Sequence, residues 1–254
     1  MMIEILLIVL GLAIGSFLNV CIYRMPKHIS ISIPRSTCPK CEYQLKFWEN
    51  IPVLSYLFLR GKCSNCNAKI SLRYPLIEIL TTLIFLLLYC YYGLTIQTLL
   101  LCVLFSTVII ITFIDIDVQL IPNELIIIGL IPVSIYIIIP GLSNIWMHLL
   151  GAVCLSGLFL LIGYIGKILY KEDSMGMGDV KYAFVIGLLL GWKSGILAFG
   201  ISFISAAILI FIYLVTKKLK SRQKIPFGPF MSIGLLIALI WGDKIIEWYL
   251  LFYK

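Results

Sequence analysis

Charge is what this sequence has least of. Only 13% of its 254 residues are Asp, Glu, Lys or Arg, while 61% are hydrophobic and the mean hydropathy is +1.07. A soluble domain carries roughly 25% charged residues. No water-soluble fold of this length hides so much apolar surface, so the chain belongs in a membrane. Strand-like alternation is also missing, and the long apolar runs exclude a bare β-barrel. Histidine is down to two residues, His28 and His148. No Ser–His or Cys–His constellation accompanies them, so the usual activated nucleophiles are not indicated. A basic region ahead of the first apolar run is absent as well, because Glu4 is the only charge before Arg24. Met2 to about Tyr23 therefore reads as a retained first span with its N-terminus outside, not as a cleaved signal.

What is abundant is apolar sequence in runs of helical length. They fall at about 2–23, 74–92, 95–114, 123–139, 145–169, 180–192, 194–216 and 228–251. The expected fold is all-α: a polytopic transmembrane helical bundle of about eight spans. The run at 180–192 is short and contains Gly187 and Gly191, so it reads either as a half-span or as a partner of 194–216 through Gly195. Glycines at 151, 157, 163 and 166 suit close helix packing in lipid. Of the polar stretches, only 24–73 is long enough for a small domain. The expected organisation is a first span at 1–23, a cytoplasmic loop at 24–73 and a membrane core at 74–254. Under an N-out arrangement seventeen Lys and Arg fall on one side and three (Lys193, Lys244, Lys254) on the other. The positive-inside bias then puts the long loops in the cytoplasm. It also accounts for the net charge of +8 without a nucleic-acid partner.

Four of the eight cysteines, Cys21, Cys90, Cys102 and Cys154, are single residues in apolar spans and read as small hydrophobes. The other four form Cys38-Pro-Lys-Cys41 and Cys63-Ser-Asn-Cys66, with 21 residues between the pairs. Each pair can aim two sulfurs at one ion, and two pairs complete a tetrahedron, as in structural zinc sites. A cytoplasmic loop is reducing, which disfavours two disulfides. With all four positions filled by thiolates the zinc would be structural, folding a loop too small to make its own core.

Acids within spans are functional candidates, because a charge in hydrocarbon is costly. Asp115 and Asp117 end the third run, and Asp179 opens the sixth in Gly176-Met177-Gly178-Asp179. Asp115 and Asp179 fall at the same, cytoplasmic, depth although 64 positions separate them. Two such aspartates brought together cannot both ionise readily. One keeps a proton and polarises a scissile carbonyl; the other takes a proton from water. Gly176 and Gly178 would let backbone or substrate come close. Asp117 reads as a turn residue at the water boundary, and Asn123 or Glu124 as a helix start. Glu78 reads as a partner of Arg73 or a neighbour, or as a functional acid. A rival reading is a cation transporter with a zinc-stabilised loop, but the acids lie near one face instead of stepping across the membrane.

Several motifs in order resemble one family. They are Gly15-Ser16-Phe17-Leu18-Asn19-Val20 with Tyr23-Arg24-Met25-Pro26, the paired CxxC motifs, Asn50-Ile51-Pro52-Val53-Leu54-Ser55-Tyr56, Leu59-Arg60-Gly61-Lys62-Cys63, Arg73-Tyr74-Pro75-Leu76-Ile77-Glu78, Asp115 through Pro122, Gly176 through Lys181, and Pro226-Phe227-Gly228-Pro229. The chain resembles the type IV prepilin peptidases. That resemblance implies catalytic aspartates at Asp115 and Asp179 and cleavage of basic leaders from prepilins or pseudopilins at the cytoplasmic face. It also implies methylation of the new N-terminus by S-adenosylmethionine, with the cysteine-bearing region associated with that second activity. No glycine-rich strand-to-helix signature for that cofactor is visible, so its site is unassigned and the methylation rests on resemblance alone; a peptidase without methylation stays open.

Overall fold

A computed structural model describes residues 2–33, 35–139, 144–171, 175–216 and 225–252. The basic residues Lys217, Lys218, Lys220, Arg222 and Lys224, counted for orientation, lie outside them, as does Lys254. The described chain is helical: α1 (Met2–Arg24), α2 (Leu54–Phe58), α3 (Arg73–Tyr92), α4 (Ile96–Val118), α5 (Asn123–Ile138), α6 (Ile145–Tyr170), α7 (Met177–Val215) and α8 (Gly228–Leu251). Short 3₁₀ turns cover Met25–Lys27 and Phe47–Asn50. The chain is a polytopic membrane protein. It divides into two compact units, 1–110 and 111–254.

Six of these helices, α1, α3, α4, α6, α7 and α8, are long and apolar enough to cross a bilayer. The expected eight are not reached as separate full-length helices, for two physical reasons. α5 has 16 residues, about 24 Å of helix, which falls short of a hydrocarbon core of about 30 Å. The runs at 180–192 and 194–216 belong to a single 39-residue element, α7, interrupted at Gly191 (φ 72°, ψ 178°). That backbone conformation is open to glycine and strained for other residues. It turns the chain back on itself. A side-chain carbon placed on Gly195 would lie 3.8 Å from Gly187 Cα, whereas eight residues of straight helix span about 12 Å. The expected pairing of these runs through Gly195 is therefore what the chain does, as two arms of one hairpin.

In the first unit α1 packs on α3. Side-chain carbons on Gly11 and Gly15 would come within 2.7 Å of Thr82 Cα and 2.6 Å of Glu78 Cα, so the helices touch through backbone there. In the second unit α7 packs on α6, α8 and α5. Gly151 of α6 and Gly187 of α7 face each other so closely that a Cβ on either would strike the other's carbonyl. Of the glycines expected to line α6, Gly151 makes this approach, while Gly157 has open space and Gly163 lies near Met175. Helices in lipid gain no hydrophobic drive from one another, so such backbone contacts carry much of the association. Gly151→Val or Gly187→Val is expected to destabilise the second unit by about 1–3 kcal/mol, and Gly157→Val to stay within about 0.5 kcal/mol. Unfolding midpoints in detergent micelles check the contrast, and equal effects at 151 and 157 would exclude this packing.

Candidate active site and cysteine cluster

Asp115 sits in the last turn of α4 and is 4% exposed. Its Oδ2 accepts the backbone N–H of Gly228 at 2.7 Å, a contact between residues 113 positions apart. Gly228 can be there because it is glycine: a Cβ would lie 2.8 Å from that oxygen and 3.2 Å from Asp115 Cβ. Its neighbour Phe227 is held in a ring cluster, with centroids 5.0 Å from Phe203 and 5.7 Å from Phe159. Pro229, at the start of α8, has no N–H to satisfy. The segment Pro226–Pro229 thus positions one donor at one carboxylate oxygen.

Asp179 lies half-buried in the first turn of α7, its backbone N–H bonded to Gly176 O at 3.1 Å. The positive end of a helix favours an acid there. Gly178 lets this turn press on the segment after α4: a Cβ would meet Ile121 Cβ at 2.9 Å. Lys181 Nζ donates to Asn123 Oδ1 at 2.8 Å, tying α7 to the start of α5. Asn123 therefore serves as a tie and not as a side-chain cap. The charge of Asp115 acts on Asp179 and on buried Tyr182. Asp117 is exposed and, two residues along a helix, faces away from Asp115.

A second buried acid lies in the first unit. Glu78 of α3 is 6% exposed, and its Oε2 accepts the N–H of Val53 at 2.7 Å. Val53 has φ 58° and ψ −49°, and Leu54 N–H bonds to Pro52 O across it. That is a γ-turn on a β-branched residue, a strained conformation. Arg24 is buried too, and its guanidinium donates to the carbonyls of Ser30, Ile31 and Arg35. Beside these lies a cleft of about 860 Å³, whose lining includes Ser16, Phe17, Arg35, Lys46, Phe47 and Asn50. Its volume and its mix of apolar, polar and basic groups suit a small-molecule ligand with an anionic group.

The four motif cysteines come together: their sulfurs all lie within 4.8 Å of one another. The two CxxC turns repeat one backbone pattern. Cys38 N–H bonds to Tyr43 O and Glu42 N–H to Cys38 O; Cys63 N–H bonds to Ala68 O and Asn67 N–H to Cys63 O. Glu42 and Asn67 both take positive φ, 55° and 56°. The Cys38–Cys66 and Cys41–Cys63 sulfurs are 3.9 and 4.0 Å apart. A disulfide needs about 2.05 Å, whereas tetrahedral zinc–sulfur bonds of about 2.3 Å give edges of about 3.8 Å. The backbone N–H of Tyr43 holds the Cys41 thiol below its ordinary value, and Asn65 Nδ2 lies 3.7 Å from its sulfur. The Ala68 N–H favours a Cys66 thiolate, yet the neighbouring sulfurs of Cys41, Cys63 and Cys38 push Cys66 up to about 11.

Sequence reading anticipated the gathering of the four cysteines and placed Asp115 and Asp179 at the ends of their helices. It missed the Gly228 amide, the Glu78–Val53 bond and the carbonyl-bound Arg24. Glu78 was marked as a candidate acid and the others only by motif membership, and no periodicity reveals which backbone group partners each of them.

Comparison with known proteins places the same features in context. The bacterial Peptidase A24 N-terminal domain profile matches residues 9–92, and that of the Type IV leader peptidase family matches residues 102–211. The chain is 36% identical to a prepilin leader peptidase/N-methyltransferase of Bacillus subtilis, over 96% of this chain and 97% of that protein. It is 35% identical to the Legionella pneumophila protein of the same name, over 94% and 92%. For that of Pseudomonas aeruginosa the values are 34%, 96% and 92%. No solved structure matches the chain.

The sulfur geometry predicts about one metal ion per chain in protein purified without chelators. Elemental analysis checks it: Cys63→Ser is expected to lose the ion, and a metal-free wild-type protein would remove the assignment.

Proposed function

We propose that this chain, which belongs to the type IV leader peptidase family, removes basic leaders from prepilins or pseudopilins and then methylates the exposed amine. What supports the first activity is two acids from distant helices, Asp115 buried against a backbone donor and Asp179 subject to the charge of Asp115. In such a pair one carboxyl is ionised and takes a proton from water. The other is protonated and polarises the scissile carbonyl, and the proton taken from water serves the leaving amine. The substrates are a leader with basic residues joined to an apolar helix, so the bond to be cut lies where lipid meets the cytoplasm.

The finer features of the reading go with it. The enzyme resides in the cytoplasmic membrane with its N-terminus outside and its active site facing the cytoplasm. α5 and the two arms of α7 bring the crossings to eight. Residues 1–23 form the first span, 24–73 the cysteine lobe and 74–254 the peptidase core. Cys38, Cys41, Cys63 and Cys66 hold one structural zinc, with no position left for water or substrate. S-adenosylmethionine fits the cleft of the first unit by size, and its carboxylate suits Arg35 and Lys46. When bound, it supplies an electrophilic methyl group to the new amine. Phe17 and Phe47 supply apolar walls for its adenosine end. Membrane lipid is the remaining partner, and nucleic acid is not one.

Asp115→Asn and Asp179→Asn are each expected to lower leader removal by more than about a hundredfold while the protein still inserts. Mass analysis of a prepilin incubated in proteoliposomes reads this out, and wild-type processing by either variant would refute the aspartate assignment. The double variant Arg35→Ala/Lys46→Ala is expected to cleave normally and leave the product amine unmethylated. A fully methylated product from it would move the cofactor elsewhere.

A further inference from the structure

Beneath the aspartates lies a hydroxyl network that joins three helices. Ser232 Oγ, in the second turn of α8, is bonded to Gly228 O at 2.9 Å, to Tyr182 Oη of α7 at 2.9 Å and to Thr112 Oγ1 of α4 at 2.7 Å. A hydroxyl has one proton. Ser232 donates it to the Gly228 carbonyl, so toward Tyr182 and Thr112 its oxygen acts as acceptor. Tyr182 is 1% exposed and Ser232 9% exposed. Chained hydroxyls so buried polarise one another and resist displacement. The chain ends on the carbonyl of Gly228, and the N–H of the same residue, in the preceding peptide unit, reaches Asp115 Oδ2 at 2.7 Å.

We propose that Ser232, supported by Tyr182 and Thr112, is a positioning residue that fixes the Gly228 amide on Asp115 and thereby makes Asp115 the base and Asp179 the acid of the pair. This rests on the aspartate reading given above. An N–H aimed at a carboxylate oxygen makes that oxygen a standing acceptor and favours negative charge on it. Asp179 lies against the backbone of Gly176 in its own turn, while the Gly228 donor is the one the three-helix network holds, and Asp179 keeps the shared proton. Asp115 then takes a proton from water as hydroxide oxygen bonds to the scissile carbon, and Asp179 gives its proton to the carbonyl oxygen. On collapse the C–N bond breaks, the amine leaves with the proton held by Asp115, and a hydroxyl of the diol returns its proton to Asp179. The start of α7 also favours charge on Asp179, so the network must outweigh it, and the side chains near the pair do not supply the asymmetry. From α7, Tyr182 is spent on Ser232 and Lys181 on Asn123. From α8 come an amide and a hydroxyl that do not titrate in the working range, and Asp117 faces away.

The test is the pH–rate profile of leader cleavage in proteoliposomes for Ser232→Ala and Tyr182→Phe. Hydrogen bonds to charged groups are worth enough for about a tenfold to hundredfold loss in kcat with Ser232→Ala. KM is expected to hold, because the network does not touch substrate. The acidic limb should move to higher pH, since the base has lost its fixed donor, and Tyr182→Phe should move it less in the same direction. Melting temperatures identify folded variants. If Ser232→Ala does not fold, Tyr182→Phe, which removes one oxygen, carries the measurement. A folded variant with the wild-type profile, or one that loses rate without moving the limb, overturns the proposal. A limb moving to lower pH assigns the base to Asp179 and overturns it too. Asp115→Asn, measured alongside, separates the two levels: wild-type cleavage there would sink the aspartate reading itself, whereas inactivity there with an unmoved limb in Ser232→Ala sinks only the network.

Discussion

A carboxyl group among membrane helices persists only if the protein replaces the water it has lost, and the amide of Gly228 does this for Asp115. The requirement reaches outward from that contact. The amide must be free of its own helix, so α8 begins at Gly228, where the first N–H groups of a helix have no internal partner. Nothing bulkier than hydrogen fits between donor and acceptor. The preceding residue must be anchored, which the ring contacts of Phe227 with Phe159, Phe203 and Phe230 accomplish. Among the described residues no buried side-chain nitrogen or oxygen lacks a partner. That is the condition hydrocarbon imposes on every polar atom in it.

The first unit solves a similar problem in the same way. Glu78, like Asp115, is a buried acid on a long apolar helix, and it too accepts a backbone N–H at 2.7 Å. There the donor is presented by a strained γ-turn at Val53, whereas at Gly228 it is presented by an unfilled helix start. A side chain held by a backbone amide cannot swing, so both acids are fixed without a basic partner. Neither Asp115 nor Glu78 uses a basic side chain as the donor described here.

Much of this architecture was legible in the residues. Apolar runs gave the helices within a few positions, because a span must be about twenty residues long whatever its neighbours are. The cysteine cluster was legible because ligand spacing is local. The hairpin of α7 was only half legible: Gly187, Gly191 and Gly195 marked an irregularity, but a break and a reversal look alike in sequence. The Gly228–Asp115 and Val53–Glu78 bonds were not legible, since they join residues 113 and 25 positions apart. Glu78 was open between pairing with Arg73 or a neighbour and a functional role, and no periodicity favours a backbone amide as its partner. Close packing was over-read at Gly157, where small size signals contact only if another backbone is present.

These partial readings share a cause. Rigid helices carry the acids, but turns set where the acids point. Gly178 brings the first turn of α7 against Ile121, in the short connection that follows Asp115, and Gly228 closes on Asp115 from the start of α8. The relative placement of two carboxyls is therefore fixed at two joints by atoms that glycine lacks. Substituting a membrane-facing leucine on α4 would change little, because lipid accommodates it. Adding one methyl group at 178 or 228 would move a joint, and the acids with it. The geometry of this site is therefore governed by the turns more than by the helices that dominate the chain.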